Sequence, residues 1–121
     1  MTAPPKRARR DETVVDLLMA AGVPRNLAKT LVFLARRDET ISVDIEKATG
    51  LRQPEVSLAM RELRTRRWVE KRDIKREGKG RPVHGYRLTV PFETIVDSIT
   101  REERRKIQSI EDTLKRLKGA L

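Results

Sequence analysis

Apolar residues recur along this chain at two different periods, and the switch between them locates the elements. Helical spacing comes first. Asp11 can cap a helix running through Ala21, with Val14, Val15, Leu18 and Met19 on one face and Gly22 ending it. Pro24 opens a second helix to about Arg37, where Leu27, Leu31 and Leu34, flanked by Val32, Phe33 and Ala35, make an apolar surface wide enough for burial on more than one side. Asp38, Glu39 and Thr40 turn the chain into a very short strand at Ile41. The Ser42 hydroxyl is placed to cap a short helix from Val43 to Thr49, and Gly50 ends it because glycine readily takes the left-handed conformation of a sharp turn. The next helix starts near Gln53 with Pro54 in its first turn, and Val56, Ala59, Met60 and Leu63 share its buried face at spacings of three and four.

After Arg67 the period becomes alternating. Trp68 to Ile74 and Val83 to Leu88 read as two strands of a β-hairpin, joined by a loop with Lys75, Arg76, Lys79 and Arg81, two glycines for close approach, and Pro82 closing it. Pro91 stops the second strand, and helical spacing returns with Phe92, Ile95, Val96 and Ile99. Thr100 followed by Glu103 fits a capping box, which favours a junction there over an exposed turn within one long helix. Ile107, Ile110, Leu114, Leu117 and Leu121 then form an a/d seam between charged flanks. A narrow seam of this kind calls for a partner helix, either from a second copy or from its own domain. Two heptads are short for an autonomous coiled coil, so a dimer also needs the first helix and the stretch from Phe92 to Ile99. The expected organisation is a flexible basic arm over residues 1–10, a domain over 11–90 and a helical dimerisation segment over 91–121.

Charge changes this picture. The 121 residues hold 28 Lys and Arg against 18 Asp and Glu, a formal charge of +10, with a pI near 10.7. Such a balance points to a polyanionic partner. The excess is local: residues 51–90 carry 12 basic and 5 acidic groups, whereas 1–50 carry 9 and 7 and 91–121 carry 7 and 6. There is no cysteine, which excludes disulfides, thiolate metal sites and thiol redox sensing. No apolar run reaches the length of a membrane span or signal-peptide core, so the expectation is a cytoplasmic protein without membrane contact.

The fold class these elements imply is mainly α with a small β-hairpin: a winged helix-turn-helix with an extra helix at each end. The helix after Gly50 would be the recognition helix, offering Gln53, Ser57, Arg61 and Arg64 to base edges in a major groove about as wide as a helix. Arg52 and the hairpin cations Lys75, Arg76, Lys79 and Arg81 would meet the DNA backbone or minor groove. The blander alternative is that Arg61 and Arg64 simply keep a surface soluble. Leu58, apolar on the same face, is placed either to touch a thymine methyl or to pack against the wing. The pattern Glu55-Val56-Ser57 through Leu63, a basic connector, Trp68-Val69, then Gly80-Arg81-Pro82 and Tyr86-Arg87-Leu88 resembles the winged-helix domains of prokaryotic transcription regulators, particularly archaeal TrmB-like, ArsR-like and MarR-like proteins. The resemblance spans roughly residues 23–88 and implies a regulator that binds double-stranded DNA as a homodimer. One departure is Arg67, where many such domains have glycine before the first wing strand.

Catalytic chemistry finds no support. His84 is the single histidine, so neither a histidine metal cluster nor a Ser-His-Asp arrangement fits in one chain, and the expectation is no metal and no cofactor. His84 reads as a surface or phosphate-contacting residue. Trp68 and Tyr86 read as hairpin core in preference to stacking platforms for single-stranded bases. An effector would have to bind at the dimer interface. The alternative function is a winged-helix protein-interaction module, or a non-specific nucleic-acid adaptor, in a transcription or RNA-processing complex.

Overall fold

The computed structural model describes residues 6–74 and 83–121. The chain divides into two compact units, Met1–Pro91 and Phe92–Leu121.

In the first unit the elements run α1 (Lys6–Ala20), α2 (Arg25–Ala35), β1 (Thr40–Ile41), α3 (Ser42–Thr49), α4 (Gln53–Thr65), β2 (Val69–Ile74) and β3 (Val83–Leu88). Helix α2 is the hub, touching α1, α3, α4 and β3. Its Leu27, Ala28, Leu31, Val32 and Leu34 are buried against Ile45 of α3, and Val56, Ala59, Met60 and Leu63 of α4 complete the core. Thr30 is buried without cost because its hydroxyl donates to the Asn26 carbonyl at 2.8 Å.

The strands form one antiparallel sheet in the order β1-β3-β2. Thr40 pairs with Tyr86 and Ile41 with Gly85, as the short strand at Ile41 predicts, while β2 and β3 pair from Val69–Leu88 to Ile74–Val83. Trp68 and Tyr86 are both buried, so they pack and do not present stacking faces. At Gly85, flanked by both neighbouring strands, a Cβ would lie 2.5 Å from Ile74 Cδ1 and 3.4 Å from Glu39 Cδ. A larger residue there would require the Ile74 side chain to move.

Several local expectations are corrected. Helix α1 begins at Lys6, inside the stretch expected to be a flexible arm over residues 1–10. Lysine, arginine and alanine are strong helix formers, and the chain continues into turns anchored by the buried Leu18. Four basic residues at a helix start oppose its dipole, which is why the pattern alone disfavours this start. Asp11 is not a cap: its carboxylate accepts from Arg36 Nε at 2.9 Å and Nη2 at 2.7 Å, clamping α1 to the end of α2. Met19 faces solvent, as does Leu17. Ser42 lies inside α3, whose N-cap is Ile41 without a side-chain hydrogen bond.

The second unit is one helix, α5 (Phe92–Ala120), about 43 Å long at about 1.5 Å per residue. Thr100 starts no new helix; its hydroxyl donates to the Val96 carbonyl at 2.8 Å and the helix runs straight through. Ile95 and Ile99 are buried, but from Arg104 onward every residue is exposed.

Candidate nucleic-acid interface

The site is built on α4, and its presentation begins at the turn before it. Gly50 sits at φ +74°, the left-handed cap that the sequence predicts, and its N–H donates to the Glu46 carbonyl at 2.9 Å. Thr49 steadies the turn, its hydroxyl donating to the Ile45 carbonyl at 2.6 Å and accepting from the Leu51 N–H at 3.3 Å. The chain then enters α4 under the control of Glu55, to which the sequence-based expectations assign no capping role. One carboxylate oxygen accepts from the Arg52 N–H at 2.9 Å and the other from the Asn26 amide of α2 at 3.3 Å. Glu55 thereby caps the helix and ties its first turn to the core. The signal was present as a glutamate three residues after the helix's first flanking residue.

The other end of α4 is fixed by a Schellman turn. The Trp68 N–H reaches the Leu63 carbonyl at 3.0 Å and the Arg67 N–H the Arg64 carbonyl at 2.9 Å. Arg67 takes the left-handed position at φ +63°. The geometry is therefore the one glycine serves elsewhere, adopted here by an arginine at a strain of about 1 kcal/mol. The Arg67 carbonyl accepts from the Thr89 hydroxyl at 2.6 Å, which holds the turn in place.

Between these ends Gln53, Ser57, Leu58, Arg61 and Arg64 are exposed on α4, opposite or beside the buried stripe, as the helical spacing predicts. Gln53 and Ser57 are not independent, since the Gln53 amide donates to the Ser57 hydroxyl at 2.9 Å. Arg52 is exposed beside the first turn. Lys75, Arg76, Lys79 and Arg81 lie outside the described residues.

Tertiary pairing sorts the basic residues of this region into engaged and free. Arg66 is held by Glu62 at 3.0 Å and lies over the Trp68 ring at 5.0 Å. Arg72 forms a two-pronged pair with Glu39 at 2.6 and 2.9 Å, reaching across β3. Arg87 pairs with Glu70 on the adjacent strand. His84 Nδ1 lies 2.9 Å from its cross-strand neighbour Asp73. The hydrogen bond from Arg72 holds the Glu39 carboxyl below its ordinary value of 4.5, with Arg72 and Arg87 charges adding to the effect against a desolvation penalty. Among the described residues of α4, its flanks and the sheet, Arg52, Arg61, Arg64, Arg67 and Lys71 have no carboxylate partner. Within this region the free charge thus lies mainly on and around α4, while Arg72 and Arg87 of the sheet are paired.

The first unit also carries an open hollow of about 630 Å³ lined by residues of α1, α2 and α3. Its walls carry the carboxylates Glu12 and Asp16 opposite Arg25 and Lys29. Both charge signs are presented, so the hollow selects no ligand class.

A trihelical core, a sharp left-handed turn into an exposed fourth helix and a three-stranded sheet ending in a hairpin define a winged helix-turn-helix. Comparison with solved structures bears this out. The chain superposes on TrmBL2, described as an archaeal chromatin protein with a novel mode of DNA binding, with a TM-score of 0.64 at 14% identity, over 91% of this chain and 40% of that one. This chain therefore spans well under half of that protein. A possible transcriptional regulator from Methanosarcina mazei gives 0.58 at 16% identity, covering 89% of this chain and 86% of that one. The MepR–DNA complex of Staphylococcus aureus gives 0.54 at 19%, covering 94% of each. No protein-family model and no curated protein matches the sequence. Among the described residues, no helix is long and apolar enough to cross a membrane.

Proposed function

We propose that this protein is a transcription regulator that binds double-stranded DNA as a homodimer, with α4 in the major groove. The observation that carries the reading is the outer face of α4, where exposed arginines without carboxylate partners stand on a helix clamped at both ends to a packed core. Gln53, Ser57, Arg61 and Arg64 read base edges, and Arg52 meets phosphate. The hairpin cations Lys75, Arg76, Lys79 and Arg81 follow the backbone or minor groove. That MepR has been crystallised with DNA, and that TrmBL2 binds DNA, supports the reading by likeness of fold.

The dimer rests on the α5 seam. Ile107, Ile110, Leu114, Leu117 and Leu121 are each more than half exposed in the single chain, a row that burial against a second copy removes from water. Val96 on the same helix is a further exposed apolar group. A two-fold dimer sets two recognition helices about one DNA turn apart, about 34 Å.

The test is selection from a pool of random-sequence duplexes at two salt concentrations, alongside single-stranded RNA. Enrichment of a two-fold-symmetric motif is the expected result. Uniform, steeply salt-dependent binding with no motif would refute sequence-specific regulation. The exposed seam also favours a second reading, an interaction module docking on a larger complex; sedimentation of the purified chain as a monomer at micromolar concentration would favour it over the dimer.

A further inference from the structure

One residue on the outer face of α4 is left unexplained by charge. Leu58 is 63% exposed, so most of its side chain is open to a partner. A helix turns about 100° per residue. On that wheel Leu58 and Arg61 stand within about 30° of the direction opposite the buried stripe of Val56, Ala59, Met60 and Leu63, whereas Arg64 lies about 90° and Gln53 about 110° from it. The two outermost long side chains of this face are therefore one aliphatic group and one free guanidinium. An isolated exposed leucine is ordinary, but the setting of this one is specific. Beside it on that face stand Thr65, the unpaired Arg61 and Glu62, whose carboxylate is held by Arg66, a polar surface with a free guanidinium that complements DNA better than an apolar protein surface.

We infer that Leu58 is a specificity-determining residue that contacts the C5-methyl group of a thymine in the major groove. This rests on the double-stranded DNA reading above and deepens it. The thymine methyl is the apolar group the major groove presents, and it distinguishes a T·A pair from the others. The rise from Leu58 to Arg61 is about 4.5 Å, between one and two base steps of about 3.4 Å. The thymine accordingly lies within two steps of the base edge that Arg61 meets. Burial of one methyl against Leu58 corresponds to about a fourfold change in affinity.

The experiment uses the full chain and a duplex selected as above, with uracil replacing thymine one position at a time; uracil pairs normally and lacks the methyl. Binding by the wild type is expected to weaken about fourfold at one thymine of each half-site. Leu58→Ala, which alters an exposed position and leaves the core intact, is expected to bind the thymine and uracil duplexes alike, so that the two changes are non-additive. Leu58→Met, which keeps an apolar contact, is expected to retain most of the preference. Equal binding of all uracil duplexes by the wild type overturns the inference while leaving the DNA reading intact, and so does a uracil effect that persists unchanged in Leu58→Ala. If Leu58→Ala binds DNA as the wild type does and the wild type ignores uracil, Leu58 belongs to a protein contact. Failure to select any motif removes the DNA reading and this inference together.

Discussion

Helix α4 and the distal half of α5 carry the same kind of pattern and meet opposite fates. Each has apolar residues at spacings of three and four with charged flanks. On α4 the apolar stripe is buried, Leu63 completely, and the polar face is what the molecule offers to a partner. On α5 beyond Arg104 the stripe itself is offered: Leu114 is 58% exposed and Leu117 60%. Periodicity states which face of a helix avoids water. It does not state what covers that face, because a core helix and an interface helix satisfy the same rule.

The largest expected effect separates the two stripes directly. Leu63→Ala should cost about 2–5 kcal/mol of stability by leaving a cavity in a closed core, whereas Leu114→Ala should change the stability of the isolated chain by less than about 0.5 kcal/mol. Urea unfolding at low protein concentration checks this, and equal losses would erase the distinction. Next, Leu114→Asp should convert a dimer into a monomer in sedimentation without loss of helical signal. It should weaken binding to a two-fold site while leaving binding to an isolated half-site unchanged; no change in mass would remove the homodimer.

The polar face of α4 comes third. Arg61→Ala should cost about 1–3 kcal/mol on the selected duplex and less on random DNA, while Lys79→Ala should weaken both alike and lower the salt slope by about one. If both variants lose selected and random binding equally, the division between reading and backbone residues is wrong. Smaller still is the end of α4: Arg67→Gly should stabilise the fold by about 1 kcal/mol, since glycine relieves the left-handed strain at φ +63°. A loss of stability would mean that the arginine side chain holds the turn.

The smallest effect lies in the sheet after α4. The Glu39 carboxyl is held below 4.5 by its hydrogen bond to Arg72, so the folded state binds this proton more weakly than the unfolded one. The pair's contribution is present above the ordinary carboxylate range and is lost as pH falls through the lowered value. Glu39 is half-buried but Arg72 is largely exposed, so solvent screens the pair and a slight effect is expected. A carboxyl titration followed by NMR should place Glu39 below the ordinary carboxylate value of 4.5, and Arg72→Gln should raise it back towards that value.

Much of the fold was legible from local rules. Gly50 ends α3 because left-handed backbone suits glycine, and the alternation from Trp68 to Ile74 and Val83 to Leu88 declared the hairpin. The exposed row of α4 followed from helical spacing alone. What was misread depended on partners elsewhere. Asp11 has the composition of a cap, yet Arg36, 25 residues away, claims its carboxylate. Thr100 and Glu103 match a capping box, but that pattern also fits mid-helix, where the threonine hydroxyl bonds back to the Val96 carbonyl. Arg67 stands where glycine is expected and adopts glycine's conformation anyway, because the Schellman turn and Thr89 hold it there.

The sequence by itself determined the order and type of the elements, the buried stripes, the helix-turn-helix with its hairpin, and the concentration of positive charge in residues 51–90. These follow from chain-local physics: side-chain period, glycine and proline backbone preferences, and composition. Tertiary structure alone decided which charges remain free, withdrawing Arg72 to Glu39 and Arg87 to Glu70 while leaving Arg61 and Arg64 open. It also showed that Leu58 and the α5 seam stay in contact with water. Pairing and exposure are properties of groups brought together from distant positions by strand register and helix packing, and no local pattern encodes them.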